Sequence, residues 1–162
     1  MRIDDKLYAL AVEVGKAAQA RQAMIATAES CTGGLVAGAL TAVAGSSEWF
    51  ERGFVTYSNV AKVEQLGVTQ PMLDRFGAVS TETALAMARG AIRMSRAQWA
   101  VAVTGVAGPG GGSPEKPVGT VCFAWAGPTG AEAAEHHIPG DRAAVRAESV
   151  RIALAGLLQR LA

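Results

Sequence analysis

The stretch "AMIATAESCTGGLVAGALTAVAG", residues 23–45, narrows the choice of fold more than any other part of the chain. Its first seven residues are short, apolar and bounded by the polar pair Glu29-Ser30, a pattern that predicts a strand. From Gly33 the pattern becomes that of a buried helix that stops at Gly45. A strand passing through a tight turn straight into a helix is the unit from which layered α/β proteins are built. Two adjacent glycines at the expected helix start are costly, about 1 kcal/mol each relative to alanine in a helix interior. They predict a place where something must approach the backbone closely.

The rest of the chain repeats the alternation. "DDKLYALAVEVGKAAQAR" carries Leu7, Leu10, Ala11, Val14, Ala17 and Ala18 at helical spacing. "GFVTYS" alternates like a strand, and Asn59 is the expected N-cap of a helix "VAKVEQLG" ended by Gly67. Pro71 opens a short helical turn, and Ser80 or Thr81 caps "ETALAMARGAIRMSR". "QWAVAVTG", "VGTVCFAWA" and "AEAAEHHI" read as strands, and a last amphipathic helix runs from Asp141. Strand–helix units followed by a closing hairpin predict an α/β/α sandwich on a mixed sheet. In such sheets ligands gather at the carboxyl ends of parallel strands, where Ser30, Tyr57 and Thr104-Gly105 fall.

Composition excludes several classes of function. With 162 residues the chain is expected to form one domain with a self-sufficient core. Half the residues are hydrophobic, but the apolar runs are too short and interrupted to cross a bilayer, and the start lacks a secretion-signal pattern, so the cytoplasm is the expected compartment. A net charge of +1 gives no footprint for a nucleic acid. Cys31 and Cys122 have no CxxC spacing, and His136-His137 on an extended segment point to opposite faces, so no metal site is expected.

Ser30 is open to two readings. It is either the N-cap of the following helix or a nucleophile on a sharp turn, with main-chain N–H groups around Cys31, Thr32, Gly33 and Gly34 available to an oxyanion. Lys62 is the candidate base, since the macrodipole depresses the pKa of a lysine in the first helical turn by about one unit and desolvation in a closed pocket must supply the rest; a solvated surface lysine is the other reading. Tyr57 either relays a proton or packs in the core. "GVAGPGGGSPEKPVG", residues 105–119 and including Gly108, is longer than an ordinary hairpin loop, as binding loops often are, and lacks the ending of a P-loop. Arg142 and Arg146, one turn apart, can meet an anionic group together or face solvent. Trp49, Phe50 and Phe54 read as core, with ring stacking on a ligand as the alternative.

The blocks "TAESCTGGLVA", "GSSEWFERGFVTYSNVAKVEQLGV", "GAVS" and "VAVTGVAGPGGGSPEKPVGTV" resemble the signature of the CinA C-terminal domain family over nearly the whole chain. The resemblance implies a three-layer α/β/α sandwich with a mixed, mostly parallel five-stranded sheet, residues 1–162 forming one such domain. It also implies a stand-alone amidohydrolase that converts nicotinamide mononucleotide to nicotinic acid mononucleotide and ammonia, with no metal or organic cofactor and as a homodimer. The catalytic serine, tyrosine and lysine of the family fall on Ser30, Tyr57 and Lys62. Substrate contacts are expected from Cys31, Thr32, Gly33, Gly34, Thr104, Gly105, Gly108 and Arg142. The rival reading is a non-catalytic nucleotide-binding or partner-binding module of the same family.

Overall fold

A computed structural model describes residues 2–162. The elements follow the expected alternation: α1 (Asp5–Ala20), β1 (Ile25–Glu29), α2 (Leu35–Thr41), β2 (Phe50–Val55), α3 (Asn59–Leu66), α4 (Gln70–Phe76), α5 (Thr81–Arg93), β3 (Trp99–Gly105), β4 (Thr120–Gly127), β5 (Gly130–His137) and α6 (Arg142–Leu161). The strands form one sheet in the order β2-β1-β3-β4-β5. β1 pairs in parallel with β2 and β3, while β3–β4 and β4–β5 are antiparallel, so only β4 runs against the other four. No helix among the described residues is long and apolar enough to cross a membrane.

The two faces of the sheet are sorted by residue size. Ile25, Val101, Val103, Val121, Phe123 and Trp125 point to one face and pack with Ala11 and Val14 of α1, Val36 and Leu40 of α2, and Leu154 and Leu157 of α6. The alternate positions, Ala26, Ala28, Ala100, Ala102, Ala124 and Ala126, point to the other and meet Leu66 of α3, Leu73 of α4, and Met87 and Ala88 of α5. An alanine face lets α5 lie close to the sheet and draws α3 in behind it. Gly90 marks the tightest point, because a Cβ there would sit 2.1 Å from the Leu66 carbonyl oxygen. Gly90→Ala, which would stabilise an ordinary exposed helix, is therefore expected to cost about 2–3 kcal/mol here. Urea unfolding of the variant beside the wild type checks the loss.

Phe50 and Phe54 are half-buried and pack against opposite faces of the sheet. Trp49 is buried, with its indole against Gly15, where a Cβ would lie 2.7 Å from the ring. Trp99 lies under the Arg21 guanidinium at 5.6 Å, and Trp125 under that of Arg160 at 4.2 Å, with its indole N–H donating to the Ala153 carbonyl at 3.0 Å. Trp49 precedes β2, Trp99 opens β3, and Trp125 stands opposite Val101, so all three indoles occupy the amino-terminal end of the parallel strands. His136 sets its ring edge-on to Phe123 at 5.3 Å, while the neighbouring His137 lies beside Thr120 on the opposite face.

Several boundaries differ from the expectation: β2 covers Phe50–Val55 rather than 53–58, and α5 ends at Arg93 rather than at 96. α2 ends at Thr41 rather than Gly45, because a 3-10 turn at Ser46–Glu48 and the left-handed Gly45 before it redirect the chain toward β2. The N-cap of α3 is Ser58, whose hydroxyl accepts from the Ala61 N–H at 3.1 Å. Asn59 is the first residue of the helix.

Candidate active site

Ser30, the residue after β1, is fixed by the sheet itself: its N–H donates to the Val103 carbonyl at 2.9 Å. The chain then turns through residues 31–34 before α2 begins at Leu35, so Gly33 and Gly34 precede the helix rather than weaken it. Both are left-handed, with φ of +57° and +101°. A Cβ would meet only ordinary contacts, 3.4 Å from Arg146 at Gly33 and 3.5 Å from Val55 at Gly34, so backbone conformation, not close approach, requires glycine here.

The cap of α2 is not the expected Ser30. Glu29, only 1% exposed, folds its carboxylate forward and accepts from the Thr32 hydroxyl at 2.5 Å, the Val36 N–H at 2.8 Å and the Ala37 N–H at 3.0 Å. A carboxylate at a helix N-terminus satisfies its free N–H groups and its dipole together. Ser30 is thereby released from capping. The same arrangement occupies amides that a substrate would otherwise meet, and the Gly33 N–H is taken by the Ser30 carbonyl at 3.0 Å.

Lys62, the fourth residue of α3, turns its side chain inward and is 1% exposed. Its Nζ lies 3.0 Å from Ser30 Oγ, 2.8 Å from the Thr56 carbonyl and 3.3 Å from the Tyr57 carbonyl. Two of these three neighbours can only accept hydrogen bonds. In the neutral amine they take both N–H bonds, which leaves the nitrogen lone pair toward the serine hydroxyl. Among the described residues no carboxylate pairs with Lys62, and burial pushes its pKa down from the ordinary lysine value of 10.5 to about 8. Desolvation, the larger of the two expected causes, supplies the depression. Burial pushes the thiol of the neighbouring Cys31 up to about 11, so it stays protonated and is a poor rival to Ser30.

These groups form the floor of a cavity of about 200 Å³ whose lining includes Cys31, Tyr57, Thr104, Gly105 and Arg142. Thr32, Gly33, Gly34 and Gly108 do not line it, contrary to expectation: the Thr32 side chain is spent on Glu29, and Gly108 stands behind Arg142, accepting from its guanidinium at 2.9 Å. The Tyr57 phenol also departs from expectation. It is 60% exposed and accepts from Arg142 at 3.1 Å, while only the Tyr57 main-chain carbonyl touches Lys62. Arg142 and Arg146 part company, since Arg146 donates to the carbonyls of Cys31 and Thr32 at 3.1 and 3.4 Å and so braces the turn.

Four lining residues were not foreseen: Asn59, Ala78, Val79 and Ala107. Ala78 and Val79 belong to the block "GAVS" and are held in place by the Thr104 hydroxyl, which donates to the Ala78 carbonyl at 2.8 Å. That block gives a sequence signal for this wall, but nothing in four small residues says that they face a cavity.

A buried amine on a serine hydroxyl, at the carboxyl edge of parallel strands in an α/β/α sandwich, is an arrangement suited to acyl transfer. The CinA C-terminal domain model matches residues 7–161, and the chain belongs to that family. It is 51% identical over 158 residues to nicotinamide-nucleotide amidohydrolase PncC of Escherichia coli strain K12, covering 97% of this chain and 96% of the relative. To the protein of the same name from Pseudomonas putida it is 52% identical over 155 residues, covering 96% and 97%. The crystal structure of competence/damage inducible protein CihA from Agrobacterium tumefaciens superposes with a TM-score of 0.92 at 48% identity, covering 98% of both chains.

Proposed function

We propose that this chain hydrolyses the carboxamide of nicotinamide mononucleotide, giving nicotinic acid mononucleotide and ammonia through an acyl-enzyme on Ser30, as a step in pyridine nucleotide recycling. The observation that carries the reading is the 3.0 Å contact between Ser30 Oγ and the buried, counterion-free Lys62 amine. The names and high identity of the PncC relatives supply the substrate.

Neutral Lys62 accepts the Ser30 proton as Oγ attacks the carboxamide carbon. The Cys31 N–H, which donates to no main-chain acceptor among the described residues, receives the oxyanion. The protonated lysine then gives its proton to the departing nitrogen, the C–N bond breaks and ammonia leaves. Water adds to the ester carbon, again losing its proton to Lys62, and the Ser30–acyl bond breaks with return of that proton to Oγ. Arg142, at the rim, is the cation available to the phosphate. The Tyr57 ring beside it lines the path rather than relaying protons. A cytoplasmic homodimer completes this reading, on the strength of the family resemblance.

The test is incubation of the purified protein with nicotinamide mononucleotide in buffer containing a chelator. Ammonia and nicotinic acid mononucleotide should accumulate in equal amounts. Binding without either product would restore the non-catalytic module.

A further inference from the structure

We infer that Asn59 reads the ribose hydroxyls of the nucleotide, an inference that rests on the amidohydrolase reading above. Asparagine at the first position of a helix breaks a local preference, because its side chain favours the cap position, and here Ser58 already holds the cap. Rules broken locally cluster at functional sites. Asn59 lines the cavity three residues before Lys62, and its side-chain amide has no hydrogen-bond partner among the described residues. Most of the other hydrogen-bonding side chains around the cavity are engaged or unsuited; the Tyr57 phenol accepts from Arg142 and keeps its own O–H to donate. Ser30 and Lys62 face each other, the Thr104 hydroxyl is held by Ala78, and Arg142 spans Gly108 and Tyr57. Cys31 is a buried, weakly polar thiol.

The position fits the sugar and not the reacting amide. Ser30 and Lys62 are buried, so the carboxamide must reach the floor, whereas Asn59, Tyr57 and Arg142 are exposed and form the rim that the sugar and phosphate cross. Phosphate is served by the cation among them. A neutral carboxamide, donating from nitrogen and accepting at oxygen on adjacent atoms, matches a vicinal diol whose hydroxyls each donate and accept.

Steady-state kinetics on the wild type and Asn59→Ala, each with nicotinamide mononucleotide and its 2′-deoxy and 3′-deoxy counterparts, test this. Asn59→Ala removes no intramolecular bond and places a good helix former at an exposed site, so it should fold. The wild type should favour the full ribose by about tenfold in kcat/KM, the worth of one or two neutral hydrogen bonds. Asn59→Ala should lose about tenfold on that substrate, mostly through KM, and treat all three alike within about twofold. Full retention of the wild-type preference by Asn59→Ala overturns the inference, as does an equal loss on all three substrates or a wild type indifferent to the hydroxyls. Those outcomes leave the amidohydrolase reading standing; a wild type that releases no ammonia from any of them overturns both.

Discussion

Lys62→Met is expected to cut kcat/KM at least about a thousandfold, as loss of the general base does, and at neutral pH to make the protein harder to unfold. The two effects share one cause. Holding the lysine at a pKa of about 8, against 10.5 when solvated, costs the folded state up to about 3 kcal/mol wherever the amine is charged in both states. Methionine fills similar volume without that cost but leaves the Thr56 carbonyl unpaired, worth about 1–2 kcal/mol, so a net gain of about 1–2 kcal/mol is expected at pH 7. Between pH 8 and 10.5 the unfolded wild type still binds the proton that the folded one has released, so wild-type stability rises with pH and the advantage of the variant vanishes. Wild-type kcat/KM should climb with pH through the same value near 8, as the neutral amine accumulates. Lys62→Arg should be as inactive as Lys62→Met, because a guanidinium keeps its proton. Substantial activity in Lys62→Arg, or a stability gap that ignores pH, would remove the lysine from the role of base.

Ser30→Ala should reduce turnover by about 10⁴-fold or more with almost no effect on folding. The stability half follows from Glu29: since the carboxylate and not the serine caps α2, alanine deletes only a contact to Lys62 and a 3.4 Å contact to the Tyr57 carbonyl. A change below about 1 kcal/mol is expected. Acid-quenched wild type should carry a nicotinoyl nucleotide mass on the peptide containing Ser30, and Ser30→Ala should not. A folded Ser30→Ala protein with near-normal turnover would sink the acyl-enzyme.

The parts of the site legible in the sequence are those whose meaning is local. Ser30 stands on a strand-to-helix turn with two glycines after it, and Lys62 follows a strand end by a few residues, so pattern and spacing put both at the carboxyl edge. The division of labour between neighbours was not legible. Ser58 and Asn59 are equally good caps, and a one-residue choice decides whether the amide of Asn59 is consumed or free. Glu29 reads as the polar end of a strand because its partners lie seven and eight residues ahead, across a turn whose left-handed glycines bring them back. Burial of Lys62 is likewise a tertiary fact. α3 carries polar residues enough to pass for a surface helix, and only the close approach of α5 at Gly90 shows how tightly that side is packed.

The placement of the tryptophans separates two optical signals. All three indoles sit at the amino-terminal end of the parallel strands, one sheet length from Ser30, and each is seated on a packing contact specific to the native fold: Gly15, Arg21 or Arg160. Their emission therefore follows the integrity of the core and is insulated from what enters the catalytic edge. Tyr57, on the rim, is the aromatic group in contact with that space. Exchanging it for tryptophan would add a reporter of ligand occupancy to a molecule whose native fluorescence already reports unfolding, so that affinity and stability could be followed in one cuvette.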